Sequence, residues 1–197
     1  MPEATRRPYH HGDLRRAVLD TAMGMLREEK GWQFTLREVA RRAGVSHAAP
    51  YKHFPDKAAL LSEMALMGFD TLRQAMAQPR KPQSLRDEFF ALARAYVRFG
   101  TSNPALYRLM FRAEADKAVD VHLHERSLAA FGVLTELMQR GQNEGSFRKT
   151  DMRAQAIASW AVVHGITLLT IDGLLPVKTG PKALDAALVT LLEGLEN

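Results

Sequence analysis

The sequence contains no cysteine and none of the short motifs that mark common enzyme sites. Without cysteine the chain forms no disulfide, thiolate zinc site or cysteine nucleophile, which suits a reducing cytoplasm. HExxH, GxSxG, P-loop and GxGxxG patterns are all missing, so no metalloprotease, hydrolase or nucleotide site is indicated. Asp116, Asp120 and His124 share one helical face, but exposed charge explains them better than a metal site. We predict a non-enzyme with no cofactor and no metal.

The sequence also lacks long apolar runs and alternating patterns. No run of about eighteen apolar residues, the length of a membrane-spanning helix, is present. Residues 1–13 have no apolar segment of the kind found in secretory signals. No period-two alternation of apolar and polar residues, the pattern of a half-buried strand, is sustained. These absences predict a cytoplasmic, all-α protein without a membrane partner.

Positive charge is concentrated in the first third of the chain. Residues 1–60 contain eleven Lys and Arg against seven Asp and Glu, whereas the remainder contains sixteen against fifteen. Four of the seven histidines also lie in residues 1–60. Because neutralising phosphates is the main sequence-independent source of DNA affinity, this distribution predicts that the N-terminal part binds nucleic acid.

Residues 35–54, TLREVARRAGVSHAAPYKHF, carry the start and stop signals of two short helices. Thr35, followed three residues later by Glu38, forms a capping box. Gly44 tolerates the left-handed backbone of a tight turn and ends the first helix. Two helices joined this tightly have the geometry that enters a DNA major groove. We therefore predict a helix-turn-helix over about 35–54; on spacing alone, a purely structural helical hairpin is the alternative.

The second of these helices is predicted to present its first turn to base edges. Ser46 is placed to cap it. Ser46 and His47 can donate hydrogen bonds to purine N7 or O6, and Ala48 can contact a thymine methyl group. Lys52, one turn later, can reach a base or a phosphate. This helix is the predicted source of sequence preference.

Three segments resemble motifs of the TetR family of bacterial repressors. Residues 51–61, YKHFPDKAALL, resemble its YxHFxxKxxLL signature. Residues 9–15, YHHGDLR, resemble the lead-in to the first helix in one branch of that family. Residues 160–165, WAVVHG, resemble the WHG-type motif of the same branch's C-terminal domain. The resemblance extends over nearly the whole chain and implies a DNA-binding transcriptional regulator.

The resemblance also implies contacts with backbone phosphates. Tyr51, His53 and Lys57 are expected to hold phosphates, and Thr35 is expected to add another from the first helix. We include Arg37, which lies on the polar side of that helix. The complete set of predicted DNA-binding residues is Thr35, Arg37, Ser46, His47, Ala48, Tyr51, Lys52, His53 and Lys57.

Helical periodicity continues to the end of the chain and predicts about nine helices. A proline-rich break at residues 79–82 marks a boundary. We expect a three-helix helix-turn-helix domain over residues 1–56 and a connecting helix with its linker over 57–82. A helical bundle for ligand sensing and dimerisation is expected over 83–197.

The last two predicted helices, about residues 154–174 and 183–195, are apolar on more than one face. Gly165 lies inside the first of them, where glycine is costly unless it permits close packing. One helix-turn-helix domain reads too few base pairs for useful specificity, whereas a two-fold dimer reads a palindrome. Family members dimerise through these two helices, and we expect a homodimer here.

The resemblance further implies an effector, a small molecule of unknown identity that the C-terminal domain binds. Its large apolar and aromatic residues suit an apolar or aromatic ligand, although any core contains such residues. Trp160, His164 and Thr167 share one helical face; for His164, a buried histidine bonded to a neighbour and a dimer contact are the alternatives. The candidate pocket residues are Phe89, Tyr96, Phe99, Tyr107, Met110, Phe111, Phe131, Trp160, His164 and Thr167.

These features together predict a homodimeric repressor that binds a palindromic operator in double-stranded DNA and is released by a small apolar or aromatic ligand. The alternatives are a helical protein–protein adaptor and an enzyme without a recognisable motif. Salt-dependent DNA binding separates a regulator from an adaptor, and turnover or a cofactor spectrum reveals an enzyme.

Overall fold

The computed structural model describes residues 11–28, 31–77, 84–115, 121–175 and 180–195. Within these ranges the chain forms eight α-helices, one 3₁₀ turn and no strand, which confirms the predicted all-α class. The expected count of about nine helices is reached when the 3₁₀ turn is included. The helices are α1 (His11–Leu26), α2 (Leu36–Arg42), α3 (Lys57–Ala77), α4 (Leu85–Ser102), α5 (Pro104–Ala115), α6 (Val121–Asn143), α7 (Met152–Ile171) and α8 (Gly180–Leu195).

Side-chain caps fix the first turns of four helices, among them α3, where the Asp56 carboxylate accepts a hydrogen bond from the Ala59 N–H at 2.8 Å. Thr35 and Glu38 form the predicted capping box at the start of α2. The Ser84 hydroxyl accepts a hydrogen bond from the Asp87 N–H at 3.1 Å and begins α4. The Asp151 carboxylate accepts from the Arg153 N–H at 2.9 Å and begins α7. Each cap satisfies backbone donors that the helix itself leaves unpaired.

The second helix of the predicted pair differs from expectation. Only Pro50–Lys52 is helical, as a 3₁₀ turn whose N-cap is Ala49, and Ser46 does not cap it with its side chain. Proline has no N–H, so Pro50 cannot make the α-helical hydrogen bond to the carbonyl four residues earlier, which belongs to Ser46. The Ala49 N–H binds the Ser46 carbonyl instead, at 2.9 Å. The expected turn itself is present, with Gly44 at φ 68°.

The N-terminal helices share a small apolar core. α1 contacts α2, α3 and the 3₁₀ turn. Val18 and Ala22 on α1 are fully buried, as are Val39 and Ala40 on α2. The Phe54 ring, 3% exposed, follows the 3₁₀ turn. This core holds the segment between α2 and α3 against α1, although that segment contains little regular helix.

The C-terminal helices pack around α3, α4 and α7. α3 contacts α4, α5 and α6 along its length, whereas α4 and α6 both contact α7. α8 packs on α7 and α4. The Asp70 carboxylate of α3 pairs with Arg126 of α6. α3 therefore belongs to the C-terminal bundle by its contacts, while its first residue directly follows the N-terminal core.

α7 is long and apolar enough to cross a membrane by length and composition alone. The helix contains no unbroken apolar run of that length, because Ser159, His164 and Thr167 interrupt it. Core helices of globular proteins meet the same criterion. Only 33% of its apolar stretch is buried within the chain, so α7 leaves an apolar face uncovered.

α4, α5 and α7 approach each other closely at Gly100. A Cβ atom on Gly100 would lie 2.3 Å from Thr167 Cγ2 and 3.0 Å from the Tyr107 ring. Thr167 is fully buried, and its hydroxyl donates to the Val163 carbonyl at 2.7 Å. The methyl group of Thr167 therefore has no free space to move into, and glycine is required at this crossing.

Gly100→Ala is expected to lower the free energy of unfolding by about 1–3 kcal/mol, the usual cost of overpacking a core. Gly132→Ala is the matched control, since a Cβ there meets nothing within 4 Å and alanine favours the helix by roughly 0.5–1 kcal/mol. Urea denaturation of both variants measures the difference. Equal stability of the two variants would contradict the close approach.

Candidate nucleic-acid interface and internal cavity

The start of α2 is held by a closed hydrogen-bond pair. The Thr35 N–H donates to Glu38 Oε2 at 2.6 Å, and the Glu38 N–H donates to the Thr35 hydroxyl at 3.2 Å. The Thr35 hydroxyl also donates to Glu38 Oε2 at 2.9 Å. Because its one proton is used inside the cap, Thr35 can meet a phosphate only after that bond is exchanged.

The segment after Gly44 presents its side chains to solvent. Ser46, His47 and Ala48 are all exposed, whereas Ala49 and Pro50 are buried. Tyr51 is 49% exposed, which is unusual for so large a ring. The predicted base-reading residues therefore lie together on one exposed turn, even though that turn is not the α-helix expected from the sequence.

The remaining predicted DNA-binding residues surround this turn, and they differ in exposure and in the contacts that their side chains make. Arg37 and Lys52 are exposed. The Lys57 ammonium lies 5.6 Å from the centre of the Phe34 ring, a cation–π contact. The His53 Nε2 atom is buried and has no hydrogen-bond partner in the described part of the chain. His53 consequently presents this nitrogen to the protein interior and not to the exposed turn.

The C-terminal bundle encloses a cavity of about 250 Å³ between α3, α4, α5, α6 and α7. Its walls are mainly apolar. Leu128 and Ile157 line it while remaining 52% and 48% exposed, which places them where the cavity meets solvent. The lining residues are Phe69, Leu72, Met76, Leu92, Tyr96, Phe111, His124, Ser127, Leu128, Ala130, Phe131, Leu134, Arg153, Ile157, Trp160 and Val163.

Four of the ten predicted pocket residues line this cavity: Tyr96, Phe111, Phe131 and Trp160. The other six lie behind its walls or in the packed core. They are Phe89, Phe99, Tyr107, Met110, His164 and Thr167. Sequence reasoning omitted the α3 residues of the lining because that helix was assigned to the connector. Asp116 and Asp120 lie outside the described residues, and the described ranges contain no cluster of residues suited to hold a metal ion.

A polar cluster of Tyr96, Tyr107, Trp160 and His164 lies beside the cavity. The Tyr107 hydroxyl is 2.9 Å from the Tyr96 hydroxyl and 2.7 Å from His164 Nδ1. The Tyr96 hydroxyl is 3.0 Å from His164 Nδ1 and accepts from Trp160 Nε1 at 3.0 Å. Both tyrosine hydroxyls therefore have hydrogen-bond partners within this cluster.

Burial sets the protonation states in the polar cluster. It raises the pKa of Tyr96 to about 12 and raises the pKa of Tyr107 as well, so both rings keep their protons. Burial lowers the pKa of His164. A neutral His164 that accepts at Nδ1 carries its proton on Nε2. His164 is hydrogen-bonded to Tyr96 and Tyr107, which is the arrangement expected of a histidine bonded to its neighbours.

Comparisons with known proteins match both parts of the chain. Residues 18–64 match the family model of bacterial regulatory proteins of the tetR family, and residues 89–194 match the model of the tetracyclin repressor-like C-terminal domain. The second match alone covers more than half of the chain. The chain belongs to the TetR family. It is a DNA-binding transcriptional regulator, and regulators of this family are not enzymes.

Individual relatives agree with this assignment. An uncharacterized HTH-type transcriptional regulator of Haemophilus influenzae is 35% identical over 100 residues, which cover 50% of this chain and 49% of the relative. The match thus spans about half the length of that curated protein. A structure of a protein of unknown function from Rhodococcus sp. RHA1 is 34% identical, with a TM-score of 0.89 over 98% of this chain and 100% of the other.

A second Rhodococcus RHA1 structure, a bacterial regulatory protein in the tetR family, has a TM-score of 0.70 over 91% of this chain and 95% of the other. At 21% identity it supports the fold alone. The family matches coincide with the helix-turn-helix region and with most of the cavity-bearing bundle. The exposed turn therefore lies in the first matched part, and the cavity lining lies in the second except for its α3 residues, Phe69, Leu72 and Met76.

Stability is expected to fall in acid because of His164. Its pKa is lower in the folded state than the unfolded value of about 6.5, so the unfolded chain binds more protons at low pH. The stabilisation is complete above about pH 6.5 and is lost as the pH falls towards the folded pKa. Urea denaturation at pH 7.5 and 5.5 should show a smaller loss for His164→Gln than for the wild type.

His47→Gln is the control for this measurement, because it removes an exposed histidine outside the polar cluster. It should retain the wild-type loss of stability in acid. If His164→Gln and His47→Gln show the same pH dependence, the neutral buried state assigned to His164 is wrong.

Proposed function

We propose that the chain is a cytoplasmic, homodimeric repressor that binds a palindromic operator and is released by a small, largely apolar ligand. The observation that carries the proposal is the exposed turn of Ser46, His47 and Ala48, held by a capped α2 on one side and the buried Phe54 on the other. We propose repression and not activation because members of the family mostly act by occupying promoters.

The exposed turn supports base reading because it combines short side chains with donors. Ser46 and His47 offer hydrogen bonds to purine edges, and Ala48 allows a close approach to a thymine methyl group. Tyr51 and Lys52 extend the same exposed surface. Lys57 begins α3, where the helix dipole and its own charge both favour a phosphate. These residues support a division between base contacts in the turn and phosphate contacts around it.

The uncovered face of α7 supports dimerisation. Ala158, Ala161, Gly165 and Leu169 follow one another at three- or four-residue spacing, and the three besides Gly165 are exposed. A Cβ on Gly165 meets nothing within 4 Å in this chain, so the chain's own packing does not explain the glycine. A close-packed helix from a second copy would explain it. The cost of glycine in a helix interior is then offset by association.

α3 supports a link between ligand and operator because both sites include it. Phe69, Leu72 and Met76 line the cavity, whereas Lys57 begins the same 21-residue helix beside the exposed turn. A ligand that changes how α3 sits against α6 therefore changes the position of the DNA-binding part. Differential affinity for two arrangements of the dimer is what alters operator affinity.

His47→Ala is expected to relax base preference at one position in each half-site, since each specific contact contributes discrimination against wrong bases. Lys57→Ala is the matched variant. It should weaken binding to all duplexes alike and lower the slope of log K against log salt by about one. Selection from a random duplex pool at two salt concentrations measures both effects. Uniform weakening by His47→Ala would remove it from the base-reading set.

Ala161→Arg is expected to convert the dimer to a monomer, because it places a charge in the middle of the apolar face of α7. Operator affinity should fall with dimer content. Light scattering coupled to gel filtration measures the mass, and Ala129→Arg on the exposed side of α6 is the control. A dimer that survives Ala161→Arg would show that association uses another surface.

A further inference from the structure

The most buried polar group in the cavity wall has no hydrogen-bond donor left for a ligand. Tyr96 is the buried polar residue of the lining, 4% exposed. Its hydroxyl already accepts from Trp160 and lies within hydrogen-bond distance of both Tyr107 and His164. Burial of a ligand's polar group against this wall would leave that group unpaired, which is costly. The enclosed part of the cavity therefore suits a hydrocarbon or aromatic body.

Arg153 differs from the other residues of the lining. Among the described residues that line the cavity it is the only one with a permanent charge, and no Asp or Glu accompanies it there. It forms no ion pair with any described residue and is exposed. As the second residue of α7, its cation also opposes the helix dipole. Arg153 thus keeps its charge available at the edge of an apolar space.

The helical register directs Arg153 toward that space. Arg153, Ile157 and Trp160 follow each other at four- and three-residue spacing, which places them on one face of α7, and all three line the cavity. Exposure falls along this face, from exposed Arg153 and Ile157 to half-buried Trp160. A molecule lying along it has its inner end among aromatic rings and its outer end beside the guanidinium.

We propose that the ligand of this cavity is a small organic monocarboxylate with an aromatic or aliphatic body, whose carboxylate binds Arg153. The proposal rests on the proposed function, because it specifies the ligand of the same cavity. The planar guanidinium matches a carboxylate with two parallel hydrogen bonds. A single permanent cation in the lining fits one anionic group and disfavours polyanions such as nucleotides. A volume of about 250 Å³ is below the ~300–1,000 Å³ of pockets for drug-sized ligands and suits a small molecule.

The test uses 4-phenylbutyrate and its neutral isostere 4-phenylbutanamide, which differ in charge but not in the apolar body. Isothermal titration measures their binding to the full chain. A fluorescent operator fragment, selected beforehand from a random pool, reports release. The variants are Arg153→Gln and, as control, Lys149→Gln, which removes a nearby exposed cation that is not part of the lining.

The carboxylate is expected to bind at least about tenfold more tightly than the amide and to release the operator at lower concentration. Arg153→Gln should remove that preference, leaving amide binding within about twofold, and Lys149→Gln should retain it. Equal binding of acid and amide, or a preference that survives Arg153→Gln, overturns the ligand class. If the amide alone releases the operator, the ligand-released regulator stands and only the carboxylate assignment fails.

Absence of binding by 4-phenylbutyrate also overturns the assignment to small monocarboxylates. The operator fragment separates this failure from failure of the proposed function. A chain that binds the selected palindrome with no response to either compound remains a DNA-binding regulator. A chain that selects no sequence contradicts the regulator proposal itself.

Discussion

Three helices of the C-terminal bundle meet at a cluster of side-chain hydrogen bonds, and the rest of that bundle is arranged around them. Tyr96 on α4, Tyr107 on α5 and His164 on α7 bond to each other within 2.7–3.0 Å. Buried polar groups need hydrogen-bond partners, and here each of the three helices supplies partners to the other two, which holds them in register. Gly100 allows the same three helices to approach closely.

α3 transmits this arrangement to the N-terminal part. It contacts α4, α5 and α6, and it starts at Lys57, next to the segment that carries the exposed turn. A second connection is made by Arg112 of α5, whose guanidinium lies 5.8 Å from the centre of the Trp32 ring. The N-terminal part is therefore attached to α3 and α5 of the bundle, and both of these helices also line the cavity.

Local signals in the sequence predicted the elements of the fold well, because caps and turns depend on few neighbouring residues. The Thr35 capping box and the Gly44 turn are confirmed. The second helix was predicted as α-helical because Ser46 is a good cap, but the missing N–H of Pro50 prevails and leaves a 3₁₀ turn. Periodicity identified the aromatic residues of the bundle, yet it did not separate Tyr96, which lines the cavity, from Tyr107, which lies behind it. That distinction depends on how helices distant in sequence cross.

The polar cluster also determines at which positions this protein tolerates amino-acid substitutions. Its residues hydrogen-bond to each other and hold three helices together. Replacing any of them is therefore expected to destabilise the bundle more than it changes which ligand the cavity fits. The outer positions, such as Arg153, Leu128 and Ile157, are exposed and support no comparable set of bonds. Under the proposed function, single substitutions at these positions would change the ligand preference at little cost in stability. One scaffold can in this way serve regulators that respond to chemically different signals.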